Sequence, residues 1–245
     1  MYYDTHCHID LLKNRNEIIK EIEANKIYTI AMTNLPILFE KLQKEISSKY
    51  IKIALGFHPE LIYNYRHLIP KMWDCIDKTK YIGEIGLDFN KNISREDKEI
   101  QFNFIKELLY KCHLSGNKIL SLHSRGAEKE LNFLIKNTFN GVLIFHWYTG
   151  EIRILKDLIK KECYFSINHS MIKTKSGQRI IQYLPLNKIL LETDYPFIKN
   201  INSISKKEIL HEIIMGISKI KNIEVQKIEN ILFDNFKFII NKTNT

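Results

Sequence analysis

Eight short runs rich in β-branched and aromatic residues punctuate the chain: Met1–Asp4, Ile27–Met32, Ile51–Gly56, Tyr81–Gly86, Ile119–Leu122, Gly141–Phe145, Tyr164–Ile167 and Ile189–Glu192. Their length and composition predict β-strands. Between them apolar positions recur every three or four residues, which predicts amphipathic helices over Glu17–Asn25, Leu61–Lys78, Glu128–Lys136, Ile152–Lys161 and Gly177–Tyr183. Ser94-Arg95-Glu96-Asp97 reads as a capping-box start, followed by Phe102, Ile105, Leu108, Leu109 and Cys112 at helical spacing. Two more helical stretches, Ser205–Ile220 and Glu224–Ile240, close the pattern. Strand and helix alternate throughout, so the sheet should be parallel with right-handed crossovers, because parallel neighbours cannot be joined by a tight turn. Eight strands is the number that closes a TIM-like (β/α)8 barrel. An open doubly wound sheet is the alternative if one strand is miscounted. The 245 residues match the size of one such barrel, and no shift in composition divides them, so 1–245 reads as a single domain.

Chemistry concentrates where these strands end. His6 and His8 are two residues apart, and a strand sends alternate side chains to one side, so both imidazoles can enter the barrel mouth while Cys7 faces the core. Glu84, His123, His146 and Asp194 each stand at or just past the end of a strand. A barrel gathers its strand ends at one rim, so these six residues are candidate ligands of one metal centre. Glu84 can bridge two cations through its two oxygens, and Asp194 can bind a cation, take a proton from an attacking water, or both; these two carry the catalytic expectation. Asp88 reads as a loop or supporting residue, and Glu192, with the strand parity of Asp194, as a buried hydrogen-bonding group.

Around this set, Arg125 offers a planar cation suited to phosphate, His58 follows a strand in Gly56-Phe57-His58-Pro59, and Trp147 and Tyr148 present rings on which a base can stack. His67, His113 and His211 fall in helical patterns and, with His169, are left outside the site. Imidazole with carboxylate suits Zn, Mn, Fe or Ni, and Mg where carboxylates, water and substrate phosphates fill its shell. Two divalent ions, with Mg, Mn and Zn in view, would clamp the attacking and leaving oxygens of a phosphodiester.

The net charge of +9 fits a polyanionic partner, although Lys is spread through the whole chain without a basic tract. Four cysteines without CxxC spacing, no charged-then-apolar leader and no run near the membrane-spanning length point to a soluble, cytoplasmic protein with reduced thiols and no membrane association. Disorder is expected only at the polar end, Asn241 to Thr245.

Five segments, Asp4-Thr5-His6-Cys7-His8-Ile9-Asp10, Gly56-Phe57-His58-Pro59, Gly83-Glu84-Ile85-Gly86-Leu87-Asp88, His123-Ser124-Arg125 and Glu192-Thr193-Asp194-Tyr195-Pro196, resemble in order the motifs of the TatD-type deoxyribonucleases of the metal-dependent hydrolase superfamily. The resemblance runs nearly end to end. It implies a TIM-like barrel, metal-dependent hydrolysis of DNA, commonly exonucleolytic from the 3′ end of single strands, and metal ligands at His6, His8, Glu84, His123, His146 and Asp194. Where that family usually carries a Cys-Phe pair, this chain has His146-Trp147-Tyr148-Thr149-Gly150, which together with Phe165-Ser166-Ile167-Asn168 and Met171 resembles the TatD-like nucleases of Qat anti-phage defence systems and so implies partner proteins. The stretch after Pro196 lacks the family's proline- and arginine-containing segment. Two other functions stay open at this point: an amidohydrolase-like enzyme acting on a small carbonyl substrate, and a nucleic-acid-binding defence subunit with little turnover.

Overall fold

The computed structural model describes residues 1–12, 14–136, 139–198 and 204–242. Among them the strands are β1 (Tyr3–Cys7), β2 (Tyr28–Ala31), β3 (Ile51–Ile53), β4 (Tyr81–Gly86), β5 (Lys118–His123), β6 (Gly141–His146), β7 (Tyr164–Ile167) and β8 (Ile189–Leu191). All ladders are parallel, in the orders β1-β2-β3 and β4-β5-β6-β7-β8. Residues of β4, β5 and β6 are buried on both faces almost throughout, as expected when helices cover a parallel sheet.

Two seams join the ladders into a closed TIM-like barrel. At the first, Leu55 bridges Ile82, with Leu55 N–H donating to Tyr81 O at 2.9 Å and Gly83 N–H to Leu55 O at 2.8 Å. The backbones approach so closely there that a Cβ on Gly56 would stand 1.7 Å from Thr33 O. At the second, Asp194 N–H donates to His6 O and His8 N–H to Tyr195 O, both at 2.9 Å, and the Thr5 hydroxyl donates to Leu191 O. Closure at this second seam removes the open-sheet alternative.

The outer layer comprises α1 (Arg15–Asn25), α2 (Pro36–Glu45), α3 (Pro59–Ile62), α4 (Ile69–Cys75), α5 (Arg95–Ser115), α6 (Glu128–Leu134), α7 (Ile152–Lys160), α8 (His169–Lys173), α9 (Lys175–Tyr183), α10 (Lys206–Lys221) and α11 (Val225–Lys242). Ser94 caps α5 by accepting from Asp97 N–H at 3.0 Å, but the reciprocal capping box forms at α10, between Ser205 and Glu208. One hydrophobic cluster runs from Tyr3 to Ile239 and includes Cys7 and the other three cysteines, all unpaired. No described helix is long and apolar enough to cross a membrane.

Several expectations need correction. β1 spans Tyr3–Cys7 rather than Met1–Asp4; Asp4, Thr5 and His6 are polar yet wholly buried, and apolar patterning overlooks strand residues satisfied by internal hydrogen bonds. The single helix over Leu61–Lys78 is instead α3, α4 and two 3-10 turns, because Pro59 and Pro70 each fit only the first turn of a helix. The sequence reading missed α2, whose Pro36 sits at its start and whose Phe39 and Leu42 face the core, and the five-residue α8, capped by Asn168. Asn241 and Lys242 belong to the end of α11 rather than to a disordered tail; 243–245 lie outside the described residues.

Candidate metal centre

His6 and His8 leave β1 on the same side, with their Nε2 atoms 3.1 Å apart. Two nitrogens at about 2.0–2.1 Å from one tetrahedral ion stand roughly 3.3 Å apart, so this pair is spaced to share a cation. Asp194 Oδ1 lies 3.7 Å from His6 Nε2 and 3.8 Å from His8 Nε2. It reaches them because Asp194 holds a left-handed backbone (φ 48), tolerable for Asp and tied down by its N–H bond to His6 O. Glu84 Oε2 completes this group, 3.3 Å from His8 Nε2.

The other Glu84 oxygen faces a second group. Oε1 lies 2.7 Å from His123 Nδ1, 2.8 Å from His146 Nε2 and 3.5 Å from His58 Nε2. The His146 ring stacks on His6 with centroids 4.0 Å apart, which brings the two groups together. All six expected ligands therefore converge, with Glu84 placed between His6-His8-Asp194 on one side and His123-His146 on the other. Glu84 is held at the rim by Gly86 just beyond it, whose φ of 138 and close approach leave a Cβ 2.1 Å from His123 O.

Supporting residues fix which ring nitrogen faces the centre. Ser121 Oγ lies 2.8 Å from His6 Nδ1, so a proton there leaves the Nε2 lone pair free. Asp88 Oδ2 lies 2.7 Å from His123 Nε2, which turns Nδ1 toward Glu84. Glu192 is buried as expected: Oε1 accepts from Trp147 N–H and the Asn168 amide, and Oε2 from Ser166 Oγ. Ser121 was overlooked in the sequence, yet it shares strand parity with His123 and sits two positions before it.

The electrostatics suit a cation. Asp4, Glu84, Asp88, Glu192 and Asp194 are all buried at this end of the barrel, a density of carboxylate that needs positive charge nearby. Burial and the charge of His146 hold His6 well below the ordinary histidine range, leaving the neutral imidazole that a cation requires. Burial pushes Glu84 up, but His58, His146 and His123 together bring it well below the usual carboxylate value. Burial and the carboxylates of Glu192, Glu84 and Asp4 push Asp194 well above its ordinary value, against the pull of His146. Burial opposes protonation of His146, yet Glu84 and Glu192 raise it well above normal. Protons thus gather on Asp194 and His146, where divalent ions would otherwise balance the charge. The donor set fits divalent metal.

A cavity of about 360 Å³ opens over this centre, lined by His58, Glu60, Arg125, Trp147, Thr149 and Phe197 besides the ligands. Arg125 is 56% exposed and pairs through Nε with Asp88 Oδ2 at 3.0 Å and through Nη2 with Glu60 Oε1 at 3.1 Å. It sits in the turn before α6. Trp147 reaches the cavity, but Tyr148 does not: it is buried against Phe145 and Phe165, and its hydroxyl donates to Glu151 O at 2.9 Å. The expectation that Tyr148 stacks on a base is therefore corrected; strand-end alternation turns it into the core. His169 pairs with Glu212 and does not line the cavity.

A sequence profile of TatD related DNases matches residues 3–241. The chain belongs to that family. It is 28% identical over 247 residues to an uncharacterized metal-dependent hydrolase of Methanocaldococcus jannaschii, covering 96% of this chain and 94% of that protein. It is also 26% identical to the human deoxyribonuclease TATDN3, over 79% of this chain and 77% of that one. The fold is similar to the crystal structure of the TatD homolog YJJV from Escherichia coli, with a TM-score of 0.85, 18% identity and 98% coverage of both chains. This TatD-family chain is accordingly a metal-dependent hydrolase.

Proposed function

We propose that this TatD-family enzyme hydrolyses phosphodiester bonds of DNA with two divalent cations, Mg, Mn or Zn, acting exonucleolytically on single strands. The observation that carries this reading is the division of Glu84, one oxygen toward His6, His8 and Asp194 and the other toward His123 and His146. Cations held there would polarise the phosphoryl group and make a water more acidic. The protein's own groups supply the rest. Arg125, exposed at the rim, gives up its weak surface pair with Glu60 to bind a non-bridging phosphate oxygen. Asp88 holds both Arg125 and His123, so phosphate binding and ligand orientation share one support. Asp194, relieved of its proton once cations balance the buried carboxylates, would accept the proton of the attacking water as the phosphorus–ester bond breaks; the released oxygen takes a proton from solvent.

The +9 charge favours a polyanion over a small neutral carbonyl substrate. A part in anti-phage defence with partner proteins rests on the His146–Gly150 and Phe165–Met171 segments, and loss of phage protection in a Glu84→Ala, Asp194→Ala double variant tests it against a binding-only subunit. The main test is incubation of pure protein with end-labelled single-stranded DNA and Mg or Mn. Stepwise shortening that stops with chelator is expected; no metal-dependent cleavage of single- or double-stranded DNA would overturn the reading.

A further inference from the structure

Phe197 has no part in the metal centre, yet it lies beside it. Its N–H donates to Asp194 O at 2.9 Å, closing a turn that swings the ring across the end of β1. There the ring meets His8 edge-on, with centroids 5.1 Å apart at 87°, and remains 52% exposed. A single exposed aromatic is unremarkable on a protein surface. This one lines the 360 Å³ cavity that Trp147 also lines. Trp147 is itself held in place: its backbone is left-handed (φ 39) and its N–H donates to the buried carboxylate of Glu192 at 3.0 Å. Two aromatic side chains are thus presented at the mouth from the ends of β6 and β8, while Arg125, after β5, supplies the cation of the same cavity.

What such a mouth binds follows from its parts. The donor set and Arg125 call for a phosphate, so whatever meets Phe197 must be covalently attached to one. The ring offers a flat apolar face without a hydrogen-bonding group, so it selects a π-surface without reading its edge. A nucleobase has that face, and stacking on an aromatic side chain tolerates any base. The volume is at the small end for ligand sites, the scale of one nucleotide.

We propose that Phe197, assisted by Trp147, is the stacking subsite for the one unpaired nucleobase next to the scissile phosphate. This rests on the DNA-hydrolysis reading above. It gives the segment after Asp194 a role in substrate contact without the arginine of the common family pattern.

The test compares Phe197→Ala and Phe197→Tyr on single-stranded oligonucleotides that carry either a normal 3′-terminal base or an abasic terminal sugar. Loss of one stacked base corresponds to a roughly 5- to 150-fold rise in KM for Phe197→Ala on the normal substrate. The abasic substrate should be cleaved equally by wild type and Phe197→Ala, and Phe197→Tyr should restore wild-type KM. A second readout needs no turnover: 2-aminopurine at the 3′ end, in chelator, should be quenched on binding wild type and less so on binding Phe197→Ala. Equal losses on both substrates, or unchanged KM and unchanged quenching, would overturn the subsite. If wild type cleaves no DNA, the hydrolysis reading fails, and the quenching difference still decides whether Phe197 stacks on a base.

Discussion

Replacing Lys206 with Met should destabilise the protein more than any surface change, although Lys206 touches no metal ligand side chain. Its ammonium is buried at the first turn of α10, 2.6 Å from Asp4 Oδ2. Asp4 in turn accepts from His6 N–H at 3.1 Å, from Thr193 N–H at 2.9 Å and from the Thr193 hydroxyl at 2.5 Å. One carboxylate therefore ties together β1, the turn that carries Asp194, and α10. Lys206→Met leaves that carboxylate without its counter-charge, a change that costs about 3–5 kcal/mol when a buried pair is broken. Adding Asp4→Asn removes the orphaned charge and keeps part of the hydrogen bonding, so the double variant should lose less than the two single losses combined, with a coupling of roughly 1–3 kcal/mol. Urea unfolding in chelator measures this without contribution from bound metal. A Lys206→Met loss below about 1 kcal/mol, or strict additivity with Asp4→Asn, would refute the claim that the pair holds the barrel seam behind the site.

Other consequences are as direct. Asp88→Asn removes the carboxylate that orients His123, and metal affinity measured by titration should fall about 10- to 100-fold. Tyr148→Phe should cost roughly 0.5–1.5 kcal/mol in thermal or urea unfolding, with KM for DNA unchanged, because its hydroxyl serves the Glu151 carbonyl and not substrate. The raised pKa of His146 means that its protonation stabilises the metal-free protein fully below about pH 6.5, the unfolded value, and that this contribution is lost as pH rises through the higher folded value. Metal competes for the same nitrogen, so metal affinity should increase with pH over that window; affinity that is flat from pH 6 to 8 would contradict this.

The alternation of strand and helix was readable because each buried strand of a parallel sheet is a short apolar run, and β4 and β7 begin and end where that pattern places them. β1 was misplaced because Asp4, Thr5 and His6 are buried polar residues whose partners, Lys206, Leu191 and Ser121, are far away in sequence. The six candidate ligands stood out by their strand-end positions, and the fold brings their side chains together. Phe197 was not, since a lone aromatic carries no periodic signal, and Tyr148 misled because adjacent positions after a strand turn to opposite sides. Lys206 carries no signal of its own in the sequence; only the fold shows that Asp4 lies beside its ammonium.

The central claim is that Glu84 stands between two cation positions. Anomalous diffraction from crystals grown with Mn tests it most directly. Two peaks about 3.5–4 Å apart are expected, one among His6, His8 and Asp194 and one beside His123 and His146, with a Glu84 oxygen on each. A single peak that Glu84 does not touch, or peaks away from these side chains, would contradict the account.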